Sequence, residues 1–148
     1  MTGHDWLKIK HFRKTENWGD EARMDYTLVQ TLDRFRELIV VPIVVTCGTQ
    51  GMHAINSQHY FGKAVDIVFP DCTPDKLLNH VLNAMRFPEF MGIGVYPHWQ
   101  YNGKVVGGLH LDVRHTNTRA QWLCKLVRNT QVYTDLTHVH MQSIGFLK

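Results

Sequence analysis

Apolar positions recur first at helical spacing and then at strand spacing. From about Asp20 to Leu38, the positions Met24, Leu28, Leu32, Phe35 and Ile39 return every three or four residues, with Asp33, Arg34 and Glu37 on the opposite side. That pattern predicts an amphipathic helix. Ile39 to Thr46 is a β-branched run bounded by Gly48, read as a strand, with Pro42 marking an edge or a strand start. Gly51, Asn56, Ser57 and Gly62 mark residues 48–63 as a loop, and Ala64 to Phe69 reads as a short strand ending at Pro70. Thr73-Pro74 opens a second helix with an N-cap hydroxyl and proline at the first helical position. Leu77, Leu78, Val81, Leu82 and Met85 carry it to about Arg86, and Pro88 stops it. Met91 to Tyr96 and Gly108 to Val113 predict two more strands, with the hairpin-turn signal Asn102-Gly103 between them. A last helix is expected over Thr118 to Asn129, burying Trp122, Leu123 and Leu126. Residues 1–19 read as an irregular arm packed onto the domain through Trp6, Phe12 and Trp18, and the tail 130–148 carries no clear pattern.

Without a repeat or a linker, this succession predicts one α+β domain over 1–148, a small antiparallel sheet with helices packed against it. The chain's 148 residues suffice to bury a core without disulfides. A 44% share of hydrophobic residues and 20% of charged ones exclude a disordered protein. The longest apolar run, Leu38 to Val45, is too short for a membrane span, and Met1 to Trp6 shows no signal-peptide pattern. Cys47, Cys72 and Cys124 lie far apart, which fits small buried hydrophobes rather than disulfides or a cysteine-based zinc finger. The net charge of +3 comes without a dense Lys/Arg block, so no nucleic-acid partner is expected, and a monomer is.

Ten histidines remain to be explained. Histidine is the commonest metal ligand, and two segments hold it in a suggestive setting. In Ser57 to Asp66, His59 on a loop precedes Asp66 on a strand, and a carboxylate in so apolar a strand needs a partner. In Gly108 to Arg114, strand alternation puts His110, Asp112 and Arg114 on one face. Two histidines, one aspartate and a water would make a zinc site with an open fourth position. A structural histidine–aspartate hydrogen bond fits the spacing as well.

The pattern S-x-H-x-x-G-x-A-x-D, here Ser57, His59, Gly62, Ala64 and Asp66, resembles that of the zinc D-alanyl-D-alanine peptidases. These share a zinc-site superfamily with lysostaphin-type enzymes and the Hedgehog amino-terminal domain. Gly92 to Pro97 and Gly108 to Arg114 look like the second motif of one branch, so the resemblance spans about Met24 to Trp122. It implies His59, Asp66 and His110 as ligands of Zn2+ on the sheet, and hydrolysis of peptidoglycan stem peptides or cross-links by zinc-activated water. Many members carry an acidic residue three positions before the last histidine, where this chain has Gly107. Asp112 is the best substitute as general base; its alternative is to orient a ligand or pair with Arg114.

Carboxypeptidase members hold the substrate's terminal carboxylate with an arginine where this chain has Gln50, which turns the expectation toward an endopeptidase. His98, Gln50 and Arg114 are the candidate substrate-binding residues, and His53 a candidate for the cleft wall. His138-x-His140 competes for the last ligand, but it lacks the flanking glycines that favour His110. His4, His11, His80 and His115 are expected to be solvated. Trp99 and Tyr101 fit either a cleft wall or hairpin packing. A non-catalytic zinc-containing binding module of the same fold is the competing expectation. With the substrate in the periplasm or cell wall, a phage or prophage lysis protein would reconcile the absence of an export signal.

Overall fold

The computed structural model describes residues 1–136. Helix α1 (Gly3–Trp6) opens the N-terminal arm, α2 (Tyr26–Ile39) and α3 (Leu77–Ala84) are the packing helices, and six strands form one sheet. The strands are β1 (Val44–Cys47), β2 (Ala64–Phe69), β3 (Gly92–Tyr101), β4 (Lys104–Asp112), β5 (Ala120–Val127) and β6 (Thr130–Asp135). Their order across the sheet is β1-β2-β4-β3-β5-β6. All neighbours run antiparallel except β3 and β5, which pair in parallel. This is the expected α+β architecture. Among the described residues, no helix is long and apolar enough to cross a membrane.

Alternation along the strands divides the sheet into two chemically different faces. Val65, Ile67, Phe69, Ile93, Val95, Leu109, Leu111 and Leu123 point to one side, where they form the core with Leu28, Leu32 and Phe35 of α2 and Leu77 and Val81 of α3. The arm closes the end of this core. Phe12 and the fully buried Trp18 pack edge to face, and Trp18 Nε1 donates to the Arg13 carbonyl. Asp33 was expected on the polar face of α2. It is instead buried, because its carboxylate accepts the Lys10 and His11 amides at 3.1 and 2.7 Å and so anchors the arm. The opposite face of the sheet carries Asp66 and His110.

Two further expectations change. The first helix runs through Ile39 and ends where Val40 takes a left-handed conformation (φ 54°), which shortens the following strand to Val44–Cys47. The helix expected over Thr118–Asn129 is instead the β5–β6 hairpin. Arg128 and Asn129 both take positive φ (50° and 62°), the geometry that joins twisted strands through a two-residue turn. Pairing of Ala120 to Leu123 with Gly92 to Val95 adds β5 to the sheet, whereas a helix of this length is marginal on its own. His138 and His140 lie outside the described residues.

Candidate metal centre

The register of the sheet assembles the site. Asp66 on β2 lies directly opposite His110 on β4, both on the face away from the helices. His59 reaches them from a single turn of 3-10 helix, Gln58–Phe61, capped by Ser57, whose hydroxyl accepts the His59 amide at 3.4 Å. The three expected ligands therefore meet. His59 Nε2 is 3.2 Å from His110 Nδ1 and 3.3 Å from Asp66 Oδ1, and His110 Nδ1 is 2.9 Å from Asp66 Oδ1. Tetrahedral coordination at metal–donor distances of ~2.0–2.1 Å puts neighbouring donors roughly 3.3 Å apart, so this triangle is close to the size a small divalent cation requires.

The outer nitrogens of both rings are tied down as well. His59 Nδ1 lies 2.6 Å from the Gly48 carbonyl and His110 Nε2 lies 3.0 Å from Asp112 Oδ2, each an acceptor that fixes an N–H. The lone pairs of His59 Nε2 and His110 Nδ1 are thereby left for the triangle, the arrangement that orients metal-binding imidazoles. Burial by itself would lower the basicity of His110; its hydrogen bonds to Asp112 and Asp66 outweigh this and raise its pKa to about 9. Burial would raise Asp66, but the hydrogen bond from His110 and the adjoining His59 ring hold its carboxyl well below the usual range. Without a cation, then, the two carboxylates face two positive groups, a protonated His110 and Arg114.

Asp112 sits behind this ring. Its carboxylate is fully buried, and Arg114 grips it with Nε to Oδ1 at 2.8 Å and Nη2 to Oδ2 at 2.6 Å. Burial opposes ionisation there, yet Arg114 and His110 bring the pKa down to about 2. Of the two roles expected for Asp112, base or orienting partner, the geometry matches the second: its carboxylate is spent on the ring and on Arg114. Arg114 itself lies over the Trp122 ring, 5.7 Å from its centroid, and Trp122 packs 5.1 Å from His110. Gly92 and Gly94 make these contacts possible, since a methyl group at 92 would overlap the Asp112 carboxylate and one at 94 the Trp122 indole.

The chain matches no family model, no curated protein and no solved structure.

Within the molecule, the triangle lies in an open cleft of about 540 Å³, walled by Tyr96, Trp122 and Tyr133 on one side and by the loop around Met52 to Gln58 on the other. His53 lines it, as expected, stacked 4.0 Å from His59 with the rings 6° from parallel. Gln50 does not. Its amide donates to the Asn17 carbonyl and side chain at 3.0 and 2.7 Å and accepts the Gly48 amide, so it closes the loop onto the arm. His98 is exposed and lines a separate, neighbouring cavity. Gly107 faces α3, with a would-be Cβ only 2.9 Å from Leu77 Cδ1, so no side chain at 107 would reach the cleft in this register. His80, expected in solvent, is half-buried and stacked 4.3 Å from Phe69.

Among the described residues, two groups could hold a metal ion, the triangle and a second set of Cys47, His53 and His59. The second set is the poorer fit. Stacked parallel rings cannot both aim an in-plane lone pair at one cation, and burial together with the Asp66 charge pushes the Cys47 thiol up to about 11, far from the thiolate a metal needs. Trp122 and Tyr133 are the site residues that sequence reasoning missed. Both lie on the β5–β6 hairpin, which the sequence pattern read as a helix and a patternless tail.

Proposed function

We propose that this protein is a zinc-dependent hydrolase of bacterial peptidoglycan peptides, cutting within cross-links. The observation that carries the reading is the triangle of His59 Nε2, His110 Nδ1 and Asp66 Oδ1 in an open cleft, with the outer nitrogen of each ring already held by an acceptor. Three protein ligands in an accessible site are the pattern of catalytic rather than structural zinc. The resemblance of the two motifs to the D-alanyl-D-alanine peptidases supplies the substrate class.

Zinc held there would supply Lewis acidity, polarising a carbonyl and acidifying water. The chain's own residues do the rest. Asp66 contributes charge, the Gly48 carbonyl and Asp112 keep the two imidazoles in the ligating tautomer, and Arg114 keeps Asp112 ionised. Trp122 covers one side of His110 and, with Tyr96 and Tyr133, offers an aromatic wall for the peptide. Arg114 is the one Lys or Arg among the described residues lining the cleft, and its fork is filled by Asp112. A terminal carboxylate would find no unpaired guanidinium there, which favours an internal bond over removal of a C-terminal residue.

Digestion of purified sacculi, and of defined muropeptides, followed by mass spectrometry tests this. Cross-linked dimers should be cut, uncross-linked pentapeptides should keep their terminal D-alanine, and Asp66→Asn should abolish cleavage. Release of the terminal residue would make the protein a carboxypeptidase. Stoichiometric zinc without hydrolysis of any cross-link would point to a non-catalytic binding module.

A further inference from the structure

A second cavity of about 280 Å³ adjoins the cleft, and Tyr96 lines both. Its other walls include Trp99, His98, Gln100 and Gln131. A register slip between Tyr96 and Trp99 turns the Trp99 side chain to the cleft face of the sheet, where its ring fills the space above Gly108 that a side chain would otherwise occupy. Trp99 meets Tyr96 edge to face at 5.1 Å, and Tyr96 meets Tyr133 at 6.4 Å. Tyr133 in turn donates its hydroxyl proton to Gln131 Oε1 at 3.0 Å. Tyr96 is thus the wall the two compartments share, with Trp99 on the side of the second cavity and Tyr133 on the side of the cleft.

Among the described residues, the lining of the second cavity carries no Asp, Glu, Lys or Arg. It offers an indole, a phenol, the Leu126 and Cys124 side chains, two primary amides and one imidazole. Such a pocket suits an uncharged ligand with an apolar face and several hydroxyl or amide groups on its edge. An anionic or cationic peptide end would enter with its charge unpaired, at a cost of several kcal/mol if desolvated.

We propose that this cavity binds an N-acetylated hexosamine ring of the glycan strand, an inference that rests on the peptidoglycan reading above. The sugar's C–H face packs on Trp99, and its hydroxyls and acetamide meet Gln100, Gln131 and His98. The continuous aromatic wall through Tyr96 lets the attached stem peptide pass into the metal cleft. His98, expected to bind substrate at the metal, would then bind substrate one compartment away.

Titration of the full chain with tri-N-acetylchitotriose, followed by NMR, tests the assignment. Saturable shifts should centre on the Trp99 indole, His98 and the Gln131 side-chain amide. Trp99→Ala and, on the exposed side of the cavity, Gln131→Ala should each weaken binding tenfold or more while the rest of the spectrum stays folded. Absence of saturable binding, binding that survives both variants, or shifts centred on His59 and Trp122 would overturn the proposal. So would a sugar-free stem tetrapeptide that occupies the same residues more tightly. Binding is read here without hydrolysis. A chain that binds the trisaccharide but cuts no cross-link loses the peptidase reading alone, and one that cuts cross-links but ignores the trisaccharide loses the sugar site alone.

Discussion

Asp112 and Arg114 show how much chemistry rests on which nitrogen of a ring a carboxylate meets. Asp112 takes the outer nitrogen of His110 at 3.0 Å, so Asp112→Asn keeps the shape but removes the charge that holds the Nε2–H tautomer. Zinc affinity should fall about 10–100-fold, as for other partners of metal-bound histidines, measured by competition with a chromophoric chelator. Arg114→Ala should act mainly on stability. It strips two charged hydrogen bonds from a fully buried carboxylate and leaves those from the residue-114 amide at 3.1 Å and from His110 Nε2 at 3.0 Å, a loss of roughly 2–3 kcal/mol in urea unfolding. Unchanged stability in Arg114→Ala would mean that Asp112 is not ionised in the fold. Residue type and spacing made His59, Asp66 and His110 candidates and left a structural hydrogen-bonded pair equally open; it was the motif resemblance that implied them as a ligand set. For Asp112 the sequence left two roles open, base or partner of a ligand and Arg114, since alternation reports a shared face and says nothing of the ring nitrogen being met.

Among the elements, β2 and β4 were readable from alternation and turn signals, whereas the β5–β6 hairpin was not. Trp122, Leu123 and Leu126 have spacings that suit a helix, and the competing information, a parallel partner in β3 some thirty residues earlier, is tertiary. The hairpin matters because it carries Trp122 and Tyr133 to the cleft. Gly94→Ala should force the Trp122 ring off its seat beside His110, costing about 1–3 kcal/mol by overpacking and changing the tryptophan fluorescence. Arg128 holds a left-handed conformation that glycine adopts freely, so Arg128→Gly should raise stability by roughly 0.5–1 kcal/mol. A destabilised Arg128→Gly would contradict the turn geometry.

The whole molecule is a helix-backed sheet whose bare face gathers opposite charges, and its stability should report on them. In the metal-free protein, His110 has a raised pKa of about 9, so its contribution is complete below the ordinary histidine value of about 6.5 and is lost as pH rises through about 9. Asp66 and Asp112 have lowered values, so theirs is present above about 4 and fades as pH falls below it. Chelator-treated protein should therefore melt highest between about pH 4 and 6.5. Zinc has to displace the proton from His110, so the increment it adds to the melting temperature should grow with pH. An increment independent of pH would place the metal elsewhere.

The most direct test is calorimetric titration of zinc into chelator-stripped protein, comparing Asp66→Ala with Cys47→Ala, since His59 belongs to both candidate donor sets. One equivalent should bind to the wild type and to Cys47→Ala, and none tightly to Asp66→Ala. Absence of uptake by the wild type, or uptake that survives Asp66→Ala and vanishes in Cys47→Ala, would contradict the triangle as the metal site.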